Sequence, residues 1–296
     1  MEQQRSILDE LKHQYNNGGT LIKLIFVNAI VFLLINLIGV VARLSGGDTM
    51  LLLNNLVVDI FTLQTKGGEF ITHPWGLFTH FFSHQGFLHL LSNMLMFYIF
   101  GRLFIQYFSQ KRLLYTYILG GIAGGLLEMA SQIFPTMFPV PLIGASGAVM
   151  AVMVAIAAHK PFLELNFFNV LKLKLYAVAG IFFIINFISL GLQNGTGYFA
   201  HIGGAIIGYI SVQQLKSSTN IVSMASRFGD WFRSLFRKKP KLSVERGDTR
   251  RMTDEEYNMS KKEQQEQVDR ILDKISKSGY ESLSKKEKDF LFKQSK

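Results

Sequence analysis

The stretch PVPLIGASGAVMAV, residues 139–152, decides how the chain reads. Two prolines and two glycines frame a single serine, Ser146, at the mouth of an apolar run. Glycine in a helix interior costs about 1 kcal/mol relative to alanine. A serine held between Gly144 and Gly147 where a membrane-spanning helix should start therefore needs a reason.

The surroundings of this stretch are apolar. Of 296 residues, 49% are hydrophobic, 26 are Phe, and several long runs carry no charge. That composition belongs to a polytopic membrane protein. The net charge of +10 does not call for a nucleic-acid partner, because most basic residues flank apolar runs or lie in the last third of the chain, as the positive-inside rule requires. There is no cysteine, which excludes disulfides, thiolate metal sites and a cysteine nucleophile. The N-terminal stretch MEQQRSILDELKHQYNNGG is polar and mixed in charge, and it does not read as a cleavable signal peptide.

Six apolar spans are expected, at Leu24–Val41, Phe87–Phe108, Leu113–Phe134, Leu142–Ala158, Leu171–Leu190 and Tyr198–Leu215. Each is close to the roughly 20 residues that cross a bilayer, and each is expected to be helical. Lys and Arg concentrate before span one, around the two–three and four–five connections and after span six. Both termini are therefore expected on the cytoplasmic side, and for a bacterial chain the cytoplasmic membrane is the expected location. The long one–two connection, Arg43–Gly86, ends in HPWGLFTHFFSHQGFLH, whose aromatics and histidines suit a segment lying in the membrane interface. The domain reading is 1–20 as a cytoplasmic N-terminal segment, 21–215 as the membrane domain, 216–258 as a basic amphipathic segment and linker, and 259–296 as a small helical hairpin. Ile221–Phe236 reads as a basic amphipathic helix on an anionic leaflet. In the hairpin, Ser284 and Glu287 have capping-box spacing.

Polar side chains inside spans are functional candidates by default. Span two holds His89 and Asn93, one helical turn apart on one face. Span four holds Ser146, and span six holds His201 followed by Gly203, Gly204 and Gly208. Spans two, four and six run in the same direction, so these four polar residues fall within roughly 10 Å of the outer surface at 1.5 Å rise per residue. Blander readings exist. A membrane serine commonly bonds its own i−4 carbonyl, and small residues commonly form a packing face. The second applies to Gly204 and Gly208, and it brings His201 beside span four.

The chemistry that fits is nucleophilic. A serine needs a base, for which His201 is the candidate. The oxyanion formed by attack needs donors: backbone N–H groups at the start of span four, the Asn93 amide and the His89 ring. Gly144 and Gly147 let the chain turn tightly and let other backbone approach Ser146. No acid completes a triad. Glu128, late in span three, is expected to snorkel to water.

The set HLLSN, GASGA and AHIGG, in that order on spans two, four and six, resembles the rhomboid family of intramembrane serine proteases. The resemblance covers about Leu21 to Leu215. It implies an all-α, six-transmembrane-helix rhomboid-like bundle, to which this chain adds a cytoplasmic C-terminal helical tail. It implies Ser146 as nucleophile and His201 as general base, with His89, Asn93, Gly144 and Ala145 around the oxyanion and substrate. It implies transmembrane proteins as substrates, and neither a metal nor a cofactor. Met150, Gly147 and Gly204 are expected as supports, with Met150 packing beneath His201 where many rhomboids carry an aromatic. Trp75 is followed by Gly76 where many carry arginine, and Ile105 stands where many carry glutamate. The alternatives are an inactive rhomboid-like protein that binds membrane segments and a transporter with a histidine relay. The tail's partner is not legible.

Overall fold

A computed structural model describes residues 6–66, 68–133, 141–167, 171–192, 197–215, 217, 219–236 and 254–294. It divides into two compact units, Met1–Arg237 and Lys238–Lys296.

The first unit is a helical assembly. In chain order come α1 (Ile7–Asn17), α2 (Gly19–Ser45), α3 (Gly47–Phe61), two single turns α4 (Glu69–Thr72) and α5 (Gly76–Thr79), and a 3-10 turn at His80–Phe82. Then follow α6 (Phe87–Tyr107), α7 (Gln110–Ser131), α8 (Ser146–His159), strands β1 (Glu164–Phe167) and β2 (Leu171–Lys174), α9 (Leu175–Leu192), α10 (Tyr198–Gln213) and α11 (Ile221–Phe236). Among the described residues, α2, α6 and α7 are long and apolar enough to cross a membrane, and α8 and Leu175–Ile185 are shorter apolar helices. Many large apolar side chains on α2, including Leu33, Leu37 and Leu44, are exposed. In a bilayer such a surface meets lipid, where in water it would be a liability.

Two expectations are corrected here. The fifth span does not begin at Leu171, because residues 171–174 form β2, paired antiparallel with β1 in the register Glu164↔Lys174, Leu165↔Leu173 and Asn166↔Lys172. The reason is local: LKLK alternates apolar and basic side chains with period two, the signature of a strand, and Lys174 faces Glu164 across the ladder. The third span ends as helix at Ser131, with Gln132 and Ile133 in a turn, while Phe134 and most of the three–four connection lie outside the described residues. The one–two connection is largely helical, with α3 packed along α2.

Helix α8 is the centre of the assembly. From Gly147 to Ala157 all its side chains but Val154 are buried. It is enclosed by α6, α7, α9 and α10, with Phe97, Phe100, Phe104, Tyr117, Met150 and Met153 fully buried around it or within it. Small residues let α7, α8 and α10 meet backbone to backbone. A Cβ on Gly124 would lie 2.7 Å from the Ala200 carbonyl oxygen, and one on Gly203 would lie 2.5 Å from that of Ala123. A Cβ on Gly204 or Gly208 would run into the carbonyls of Gly147 and Ala151. These contacts are closer than any side chain permits, so dispersion and shape hold the trio together, as in other small-residue membrane crossings.

The second unit contains α12 (Asp254–Ser278) and α13 (Lys285–Gln294). Helix α12 starts at Asp254, inside the segment 216–258 expected as amphipathic segment and linker. Ile271 and Leu283 are buried. The Ser284 backbone N–H donates to Glu287 at 2.6 Å and the Glu287 N–H to Ser284 Oγ at 3.4 Å, a reciprocal cap. Lys274 reaches Glu287 at 2.9 Å and ties the two helices. These hydrogen bonds, Ser284 foremost and then Lys274, hold the Glu287 carboxyl at about 2, below the usual carboxylate range.

Candidate active site

The chain enters α8 through a turn that only glycine takes easily. Gly144 has φ +133°, a region that L side chains avoid. A Cβ there would also stand 2.9 Å from the His89 ring and 3.9 Å from Ser146 Oγ. Ala145 is the N-cap, and Ser146 is the first residue of the helix. The first backbone N–H groups of a helix have no intrahelical partner, and the helix dipole makes that end positive. Ser146 Oγ thus stands beside N–H donors that have no partner within the helix.

The first loop holds this turn in place. The Leu63 and Leu142 backbones exchange hydrogen bonds of 2.9 and 2.8 Å, and the Gly144 N–H donates to the His80 carbonyl at 2.9 Å. The His80 ring bonds the Gly76 carbonyl at 2.8 Å. The Tyr117 hydroxyl, from α7, donates to the Phe81 carbonyl at 2.8 Å. Trp75 and Thr79 bond the carbonyls of Asp59 and Ile60.

Ser146, His201, His89 and Asn93 line one cavity of about 340 Å³, together with Ser92, Leu142, Ile143, Gly197, Phe182 and Ile185. The structure thus brings the four polar residues singled out in the sequence to one place. Asn93 is buried, and its amide donates to the His89 carbonyl at 2.9 Å. His201 Nδ1 is buried without a hydrogen-bond partner. Gly147 faces the Ala200 carbonyl and Gly204 faces Gly147, which sets the start of α8 against the start of α10. Met150 is fully buried one turn along α8. Among the described residues no group of three or more His, Asp or Glu is placed to hold a metal ion.

Glu128 is the correction that matters most. It does not snorkel to water. It is 4% exposed, and its two carboxyl oxygens accept from the Gly197 and Ala200 backbone N–H groups, each at 3.1 Å. Gly197 is the N-cap of α10 and has no side chain to cap with. Glu128 therefore does from α7 what a capping box does within one helix. His201 is the next residue after Ala200. The only sequence signal was a lone acid deep in an apolar run.

His84 was also missed as an individual residue. It is fully buried, neither ring nitrogen has a partner, and its ring meets His89 edge-on with centroids 5.2 Å apart. Burial pushes its pKa down to about 3, with a smaller contribution from the His89 charge, and burial pushes His80 down to about 4. Both loop histidines are thus neutral in the folded protein, while in the unfolded chain they take up protons below about pH 6.5. Their contribution to stability is complete above that pH and is lost as pH falls toward 4. At pH 5 the loss is about 2 kcal/mol for each. The expected result is a melting temperature in detergent that drops steadily from pH 7 to pH 5, and less steeply in His84→Gln. A flat profile would contradict the neutral burial of these rings.

Comparison with known proteins agrees with the architecture. The sequence profile of the Rhomboid domain matches residues 72–216, the segment that contains the cavity and all three motifs. This segment is a rhomboid domain. The chain is similar to RHOMBOID-like protein 6, mitochondrial, of Arabidopsis thaliana, with 31% identity over 55% of this chain and 52% of that protein. RHOMBOID-like protein 12, mitochondrial, of the same plant is 30% identical over 56% of this chain and 52% of its own length. The human presenilin-associated rhomboid-like protein, mitochondrial, is 25% identical over 43% of this chain and 34% of its own length. The chain therefore spans from about a third to about half the length of these relatives. Beyond the rhomboid domain, residues 252–296 match a family of unknown function.

Proposed function

We propose that this protein is an intramembrane serine endopeptidase acting on transmembrane segments of other proteins, or near them. The observation that carries the reading is the meeting of Ser146, His201, His89 and Asn93 in one cavity at the start of α8. In this mechanism Ser146 Oγ attacks the peptide carbonyl carbon while His201 takes the hydroxyl proton. The resulting oxyanion accepts hydrogen bonds from the first N–H groups of α8, the Asn93 amide and the His89 ring. His201 then passes its proton to the leaving amine. A water molecule, deprotonated by His201, releases the acyl group from Ser146. Ala145 and Gly144 shape the approach of the substrate backbone, and Met150, Gly147 and Gly204 support the two helices.

The same reading takes α2, α6, α7, α8, α9 and α10 as six spans, with both termini on the cytoplasmic side. The distribution of Lys and Arg at span ends supports that orientation. For a bacterial chain the reading gives the cytoplasmic membrane as the location, and it assigns residues 216–258 and 259–296 to a non-catalytic tail. An alkyl fluorophosphonate, which phosphonylates activated serines, tests the proposal on purified protein. Wild type should acquire one adduct, found by mass spectrometry on the peptide containing Ser146, and His201→Ala should acquire little. A folded wild-type protein that stays unlabelled would refute an activated serine.

A further inference from the structure

Helix α11 presents two different faces. One is docked on the membrane unit. Val222 is buried, a Cβ on Gly229 would run into the Tyr115 hydroxyl of α7, and Asp230 pairs with Lys111. The start of the helix is fixed by Asn220, whose side-chain oxygen accepts from Val222 and Ser223 N–H at 3.0 and 3.3 Å. The Asn220 amide donates to the Ser211 carbonyl of α10 at 2.9 Å, and Arg112 of α7 reaches the same carbonyl at 2.5 Å. Helix α11 is therefore tied to the first turn of α7 and the last turn of α10, where two apolar helices end.

The other face is apolar and exposed among the described residues. Met224, Phe228, Trp231 and Leu235 are each more than half exposed. Their spacing of four, three and four residues makes one stripe along the helix, and the Phe228 and Trp231 rings touch, with centroids 5.5 Å apart. Arg227 and Arg233 share the helix with this stripe, and RKKPK follows at residues 237–241. A helix with an aromatic stripe, basic residues and a fixed position at the end of membrane spans matches the chemistry of a lipid interface.

We propose that α11 is an interfacial anchor, its Met224–Phe228–Trp231–Leu235 stripe sunk among the headgroups and upper acyl chains of the leaflet at the α7 and α10 ends, with anionic phospholipid favoured. The helix is tied to α7 and α10 at their ends, and the basic neighbours of the stripe complement anionic headgroups. Such an anchor would brace α7 against α10 from outside the catalytic cavity. The inference does not depend on peptide hydrolysis.

The protein has two tryptophans, which makes the test direct. Full-length Trp75→Phe, leaving Trp231 as the sole tryptophan, is reconstituted in phosphatidylcholine vesicles with and without phosphatidylglycerol. Lipids brominated high on the acyl chain should quench Trp231 emission about two-fold, as expected for a side chain just below the headgroups. Acrylamide in the aqueous phase should quench it weakly. Phosphatidylglycerol should strengthen the lipid quenching, and Arg233→Glu should weaken that gain. If Trp75→Phe does not fold, the difference between wild type and Trp231→Phe gives the same readout. Strong acrylamide quenching without bromine quenching would overturn the proposal. Protection from both quenchers would overturn it too, because the stripe would then be covered by protein, either a second copy or another part of this chain.

Discussion

Ser146→Ala and His201→Ala should each lower cleavage of a single-span reporter by about 10³-fold or more, with the protein still folded in the membrane. The size of the effect follows from the geometry. Ser146 stands at the helix start, where the first N–H groups have no intrahelical partner, and His201, the proposed base, lines the same cavity. Nucleophile and base act as a unit, so the double variant should be scarcely worse than either single one. Additive losses would mean that the two side chains act in separate steps. The measurement is turnover of purified wild type and variants on one substrate in one detergent, with melting temperature as the folding control. Undiminished turnover by Ser146→Ala would end the protease reading.

Glu128→Ala should produce the second largest effect, and on two observables at once. Removing the carboxyl group leaves the Gly197 and Ala200 N–H groups buried without acceptors, at about 1–3 kcal/mol for each. The same loss frees the first turn of α10, which carries His201. Misplacing a catalytic base by about 1 Å can cost on the order of 10²-fold in rate. The expected outcome is therefore a lower melting temperature together with a kcat reduced by about 10²-fold, and a KM changed far less. Glu128→Gln keeps one acceptor oxygen and should recover part of both. A Glu128→Ala protein with wild-type kcat and melting temperature would show that α10 is held by its glycine contacts alone.

The contrast between the cavity residues and Glu128 marks what a sequence can disclose. The polar side chains of the cavity were readable because each interrupts an apolar run at a similar distance from a span start, and three runs pointing the same way put them at one depth. Their roles remain the proposal made above. Glu128 also interrupts an apolar run, yet its partners are the N–H groups of residues 69 and 72 positions later. Backbone donors are the same in every residue, so nothing in the sequence marks which ones a carboxyl group will meet. The anchoring of the first loop was hidden for a similar reason, since Leu63 and Leu142 pair through backbone alone. Span five was begun too early because LKLK was joined to the apolar run that follows it, although its period-two alternation marks a strand. The capping box at Ser284 and Glu287 was legible because both partners lie within one turn of chain.

The contact between α7, α8 and α10 through glycine and alanine also bears on hydrophobic mismatch. A membrane protein meets bilayers of different thickness by tilting helices or deforming the lipid around them. Helices separated by side chains can shear past one another during such adjustment, because rotamers give. Here carbonyl oxygens sit where side chains would otherwise lie, so the three helices have almost nothing to slide on and must tilt as one body. The slack falls to α2, whose 27 residues make a rod about 40 Å long, longer than a hydrocarbon slab of about 30 Å. The separation of Ser146 from His201 should therefore be the same in thin and thick bilayers, and only the depth and inclination of the pair should change.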